Sequence, residues 1–307
     1  MSATTIPPNE FEHANAPSLN SFSRPLLWSV RRELWEFRSI YLAPLIVAAL
    51  VLVGSLVSMS RTALQMREAS ALSPMQQHEL IQRPYDLAAL FLMGITFLIS
   101  IFYCLEAMQT ERRDRSILFW KSLPVSDVVT VLSKMSIPVI VLPVIAVALT
   151  MVTHVIMLFV NAIVLKGAGQ SVELLWPHIA LGQMWGMMLY HMLILHGLWF
   201  APLYGWLLLV SAWARRLAFL WAALPFVVIG VFEKIVFNSS SLGRWLMFRF
   251  NGAPGGGAYP GGDMAMHEWS HFHISEALLS PGLWTGLTFA ALFVFAAART
   301  RRSRGPM

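Results

Sequence analysis

Charge is what this chain lacks most. Asp, Glu, Lys and Arg make up 12% of its 307 residues, where a soluble domain carries roughly 25%. Instead 57% of the residues are hydrophobic, and several windows exceed the ~18 apolar residues that cross a bilayer. A water-soluble globular protein is excluded. Cysteine occurs once, at Cys104 inside an apolar run, so no internal disulfide can form. No Gly-x-x-x-x-Gly-Lys-[Ser/Thr] is present, and the glycine run at 252–262 has no lysine after it. If ATP drives this protein, another chain binds it. Residues 1–25 lack the basic start and apolar core of a signal peptide and carry Glu10, Glu12 and several prolines. They are expected to form a disordered cytoplasmic tail.

What remains is apolar sequence cut into membrane-length pieces. Residues 26–39 read as an interfacial helix, with Leu27, Val30, Leu34 and Phe37 on one side and Arg32 and Glu36 opposite. Trp28 and Trp35 suit headgroup depth. Arg31 and Arg38 fall within the apolar arc, so they must snorkel or find partners. Six spans follow, at about Tyr41–Met59, Tyr85–Met108, Ile137–Leu165, Trp185–Trp213, Ala218–Val236 and Trp284–Ala298. The last is short unless it starts near Leu278. Pro138, Pro143, Pro202 and Pro225 lie within spans, where kinks rather than breaks are expected. Lys and Arg distribute unevenly. The tail with its surface helix, the loop after span two, the loop after span four and the C-terminus hold fifteen; the alternate segments hold six. That bias places both termini in the cytoplasm. The fold class is an all-α polytopic membrane protein with six transmembrane helices over residues 40–300, an elbow at 109–127, an outer loop at 238–283 and a basic tail at 301–307.

Three groups of residues could carry chemistry within or outside the bilayer. His267-Glu268-Trp269-Ser270-His271 matches His-Glu-x-x-His, which on one helical face binds zinc with the glutamate beside the metal-bound water. His273 and Glu276 are the nearest third ligands; a plain polar loop, or an adventitious metal site, explains the same residues. His154, Asn161 and His191 lie within spans, where polar groups face the bundle or a cavity and can mark a substrate path. Their ordinary role is interhelical hydrogen bonding. His191 and His196 are five apart, about 140° round an α-helix, so they should not form one two-ligand site. Gly182-x-x-x-Gly186 could allow close packing, and the methionines of spans three and four read as packing material.

The third group is the stretch Glu111-Arg-Arg-Asp-Arg-Ser-Ile-Leu-Phe-Trp-Lys-Ser-Leu-Pro-Val-Ser-Asp127, between spans two and three. Five charged residues, Glu111, Arg112, Arg113, Asp114 and Arg115, are followed by apolar and aromatic bulk from Ile117 to Trp120. Glu111 and Arg115 are spaced i, i+4 for a helix. Pro124 stops one helix and Ser126 supplies the N-cap of the next. A charged turn beside a short greasy helix suits a segment held at the membrane face and docked on something else.

That stretch and its setting resemble an ABC-2 type permease, the membrane subunit of an ATP-binding-cassette transporter. The resemblance rests on Glu111–Arg115, on Leu123-Pro124-Val125-Ser126 and on Ser133-Lys134 at the start of span three, with a topology match over nearly the whole chain. It implies a homodimer or heterodimer of permeases, bound to cytoplasmic ATPase subunits that hold ATP and Mg, in a bacterial cytoplasmic (inner) membrane. It implies no cofactor and no catalytic residue in this chain, and no nucleic-acid partner. Phe119, Trp120 and Leu123, with Lys121 and Pro124, would form the ATPase-docking surface; Glu111, Arg113 and Arg115 would be its ionic frame. Substrate export is the implied direction. The Gly- and His-rich outer loop has no counterpart in the family. A membrane-bound zinc protease using His267 and His271, or a non-transporting membrane anchor or sensor for an ATPase, are the alternatives.

Overall fold

A computed structural model describes residues 19–69, 73–122, 125–169, 179, 181–251 and 278–303, and all regular structure among them is helical. Helix α1 (Leu19–Glu36) ends at a short turn and leads into α2 (Ser39–Ala69) and α3 (Pro74–Glu106). Two short helices, α4 (Gln109–Arg113) and α5 (Ser116–Ser122), precede α6 (Asp127–Ser136). A π turn over Ile137–Val141 carries α6 into α7 (Leu142–Gly167). Then come α8 (Leu181–Tyr190), a π segment over His191–Trp199 and α9 (Ala201–Trp213). Helices α10 (Ala218–Phe237), α11 (Ser241–Asn251) and α12 (Pro281–Ser303) complete the described chain.

Five of these stretches are long and apolar enough to cross a membrane, and the α8–α9 pair makes a sixth if its two halves count as one span. Span four was expected to kink at Pro202. Instead it is broken, with a 48° bend at Phe200. Two local features combine there. Pro202 sits in the first turn of α9, where its missing N–H is harmless, while the wider π winding before it disrupts the usual ladder. In span three the prolines act more gently. Pro138 opens the π turn and Pro143 opens α7, and the run Asp127–Gly167 stays continuous. Span six is longer than expected, reaching from Pro281 to Ser303. The first helix begins seven residues earlier than the predicted 26, at Leu19.

The core lies between α3, α6, α9 and α12, around Tyr103, Cys104, Leu142, Tyr204, Leu208 and Ala290. Close approach there needs small residues. A Cβ on Gly205 would stand 3.2 Å from the Ala290 carbonyl oxygen, and one on Gly197 only 2.7 Å from the Val139 carbonyl oxygen. The second contact joins the two π segments, so the irregular turns of spans three and four lock into each other. By contrast α2 and α10 bury little within the chain, and their apolar outer faces are what a bilayer would cover.

Candidate functional site: a buried ion cluster beneath the α4–α5 elbow

At the end of the bundle where α3 stops and α6 begins, six charged side chains meet. Lys134 of α6 has no exposed surface and spends all three of its N–H donors. It reaches Glu33 Oε1 at 2.9 Å, Glu33 Oε2 at 3.0 Å and Glu111 Oε1 at 3.0 Å. Glu33, from α1, is equally buried and also accepts from the Tyr103 hydroxyl at 2.8 Å and from Arg32. Arg32 bridges on to Glu111 Oε1 at 3.0 Å. The other oxygen of Glu111 takes Arg301 of α12 at 3.3 Å, and Arg301 also grips Asp127 at the start of α6. Three cations therefore face three carboxylates, with Glu36 at the rim, 3.8 Å from Arg32. Burial raises the Glu36 carboxyl above its ordinary range, against the pull of Lys134 and Arg32.

The cluster ties α1, α4, α6 and α12 together, and a second set of bonds ties α4 to α9. Ser211 Oγ accepts the backbone N–H groups of Met108 and Gln109, both at 3.1 Å, so α9 caps the start of α4. Arg112 donates to the Ala212 carbonyl at 2.7 Å, at the C-terminal end of α9 where carbonyls lack helical partners and favour a cation. Four helices thus meet at one short helix of five residues.

This arrangement divides the predicted ionic frame. Glu111 and Arg112 are buried at 1% and 4% exposure and point inward, while Arg113, Asp114 and Arg115 are exposed. The expected i, i+4 pairing of Glu111 with Arg115 is not made. Helix α4 ends at Arg113, and Arg115 adopts a left-handed backbone (φ 58°) that turns the chain into α5. Arg113 pairs instead with Asp114 at 3.2 Å, an exposed contact of small energetic weight. Helix α5 is pinned by Ile117, 1% exposed, and presents Leu118 and Phe119 at 57% and 60% exposure. Trp120 and Lys121 continue α5; Leu123 and Pro124 lie outside the described residues. Ser126 caps α6 as expected, accepting the Val129 N–H at 3.2 Å.

In the surface helix, Leu27 of the apolar side is 67% exposed, and Arg32, placed on the opposite side, turns inward to the ion cluster. Arg31 finds its partners in the rings of Trp28 and Trp35, at 5.5 and 5.3 Å. The pairings of the ion cluster were not anticipated from the sequence: Arg301 entered only the Lys/Arg count, Asp127 only as the last residue of the elbow, and Glu33 was not singled out. Lys134 carried a signal, as the one charged residue between Asp127 and Lys166, whereas Glu33 and Arg301 stand among other charges and carried none.

The in-span polar residues separate into two places. Asn161 donates to the Tyr85 hydroxyl at 3.0 Å, and His154 Nε2 lies 3.0 Å from the Tyr85 carbonyl. Trp185 donates to His154 Nδ1 at 3.2 Å, which leaves Nε2 to carry the proton and donate. His191 stands apart and pairs with His196, ring centroids 5.5 Å apart. The angular separation expected from α-helical winding does not apply, because a π segment turns more slowly per residue and brings i and i+5 to one side. His267 and His271 lie outside the described residues; among those described, no three His, Cys, Asp or Glu side chains form a metal-binding group. No family model, no curated protein and no solved structure matches this chain.

Proposed function

We propose that this chain is the membrane subunit of a transporter driven by a separate ATPase, and that the ATPase docks on the α4–α5 elbow. The observation that carries the reading is the two-sided construction of that elbow. Its outer side offers Leu118 and Phe119 beside the exposed charges of Arg113, Asp114 and Arg115. Its inner side is bonded through Glu111, Arg112 and Ser211 to α1, α6, α9 and α12. A displacement of the elbow is therefore transmitted to four other helices at once. The Lys/Arg bias puts this face in the cytoplasm, where an ATPase would stand. The resemblance to ABC-2 permeases supports the same assignment and favours export.

The test is to find whether a neighbouring reading frame encodes an ATPase with a phosphate-binding loop, and to co-purify it with the tagged chain, comparing wild type with a Leu118→Glu/Phe119→Glu double variant. Loss of an apolar anchor at an interface centre costs ~2 kcal/mol or more, about thirtyfold in affinity for each of the two and up to about a thousandfold for the pair, so recovery of the ATPase should fall by at least about thirtyfold. Undiminished capture and undiminished ATP hydrolysis would remove the elbow as a docking site.

A further inference from the structure

On the far side of the chain from the ion cluster, α2, α3 and α7 line a half-open cavity of about 660 Å³. Every lining residue belongs to a stretch that is apolar enough to cross a membrane, and none carries a charge. The polar groups are not scattered. Val47, Leu50 and Val51 of α2 and Leu87 and Phe91 of α3 line the part nearer the ion cluster. Ser55, Ser58, Tyr85 and Asn161 line the part further from it. Along α2 the lining runs from Val47 to Ser58, about 16 Å at the helical rise.

At the polar end, hydrogen-bonding capacity is left over. Asn161 gives a proton to the Tyr85 oxygen. Among the described residues the Tyr85 hydroxyl proton then has no acceptor, and Asn161 Oδ1 has no donor. His154 and Trp185 hold the pair from behind, through the Tyr85 carbonyl and the His154 ring. The orientation of both groups is therefore set before any ligand arrives. An uncharged donor and acceptor above a long apolar slot match an ester group with its hydrocarbon chain, and match an ionic headgroup poorly.

We infer that this cavity is a binding site for one acyl chain of an ester-linked membrane lipid, its carbonyl taking the Tyr85 hydroxyl and its chain lying against Val47, Leu50 and Phe91. The inference rests only on the chain spanning a bilayer, and stands whether or not an ATPase docks on the elbow.

Gly54 supplies the decisive variant. It lines the cavity, and nothing lies within 4 Å of a Cβ built on it, so a larger side chain enters open space without backbone strain. Purified full-length chain in phosphatidylcholine nanodiscs is doped with phosphatidylethanolamine carrying a diazirine at the end of one ester-linked acyl chain, irradiated and mapped by mass spectrometry. Wild type should give more adduct on peptides covering 47–58 and 80–91 than on 227–237 of α10, which reports ordinary lipid contact. Gly54→Phe should bring the first two down to the α10 level, while Gly94→Phe, equally open but outside the cavity, should not. Tyr85→Phe, which keeps the ring and removes one hydrogen bond, should lower cavity labelling by about three- to tenfold. An ether-linked diazirine lipid should label the wild-type cavity as weakly as the ester probe labels Tyr85→Phe. Equal labelling of all three peptides, or no change in Gly54→Phe, means annular lipid only and overturns the site. Equal labelling by ester and ether probes overturns the role given to Tyr85.

Discussion

Replacing Lys134 by methionine tests whether the ion cluster is a unit. Methionine has a similar length and keeps most of the packing. The lost charge leaves Arg32 and Arg301 to neutralise Glu33, Glu111 and Asp127, all brought within one network. Glu33 and Glu111 then face each other across the place the ammonium held, 2.9–3.0 Å from their oxygens. Breaking a buried pair by removing one partner costs about 3–5 kcal/mol, most of it the uncompensated charge. A kcal/mol displaces a thermal midpoint by about 2–4 °C in a chain of this order of size, so Lys134→Met should lose at least about 6 °C. Tryptophan fluorescence of the detergent-purified chain is the assay, since 12 tryptophans report on it. Adding Glu33→Gln restores two cations to two carboxylates and keeps an acceptor for Tyr103. The double variant should recover more than half of the loss, a coupling of about 2 kcal/mol. A single variant within about 2 °C of wild type, or a double variant less stable than the single, would refute the reasoning.

Two further outcomes follow from close contacts. Gly197→Ala forces a methyl to 2.7 Å from the Val139 carbonyl oxygen, a backbone atom that cannot swing aside; it should cost about 1–3 kcal/mol in the same thermal assay. Gly286→Ala places its methyl on the Arg249 guanidinium. That group donates to the Trp199 carbonyl at 2.6 Å and the Gly282 carbonyl at 3.0 Å, and stacks 4.0 Å from the Trp199 ring. Gly286→Ala and Arg249→Met should therefore each destabilise by about 1–3 kcal/mol, and the pair together by no more than the larger of the two. Full additivity would show that the guanidinium keeps its place beside the added methyl.

The architecture was legible because hydropathy is a sum over many residues. Each span averages some twenty side chains, so single exceptions do not hide it, and the Ser126 cap depends only on local spacing. The places where the reading failed depend on geometry that no window average carries. His191 and His196 meet only because the helix unwinds to π there. Arg115 left the face of Glu111 because one residue took a left-handed backbone. The ion cluster was the largest omission. Its members come from positions 32–33, 111, 127, 134 and 301, and a Lys/Arg count assigns such charges to topology before any partner can be asked for. Asn161 could be picked out as a polar group in a span, but the cavity it lines needs three helices to be placed first.

A buried ionic cluster is an expensive way to hold helices together, because apolar residues of the same volume do as well or better. What it offers instead is exchangeable partners. Glu111 is within reach of Arg32, Lys134 and Arg301 at once, at 3.0–3.3 Å, so a small shift of α4 can trade one cation for another without exposing a charge. On the proposed function, stability and force transmission should then separate. The Glu33→Gln/Lys134→Met variant, with most of its stability recovered, has lost the direct Lys134 bonds from α6 to the elbow and to Glu33 of α1, while Arg32 and Arg301 still hold Glu111. It should still capture the ATPase through Leu118 and Phe119, and that partner should still bind ATP. Spin labels on Trp35→Cys and Arg299→Cys, both exposed, can be attached without removing Cys104, which is fully buried. In the wild-type background, ATP and Mg should change the distance between these labels; in the double variant, where only Arg32 and Arg301 still tie α1 and α12 to Glu111, the change should be smaller. An equal change in both would mean that Lys134 sets only how the helices assemble, and that the elbow drives the bundle through Arg32, Arg301 and Arg112.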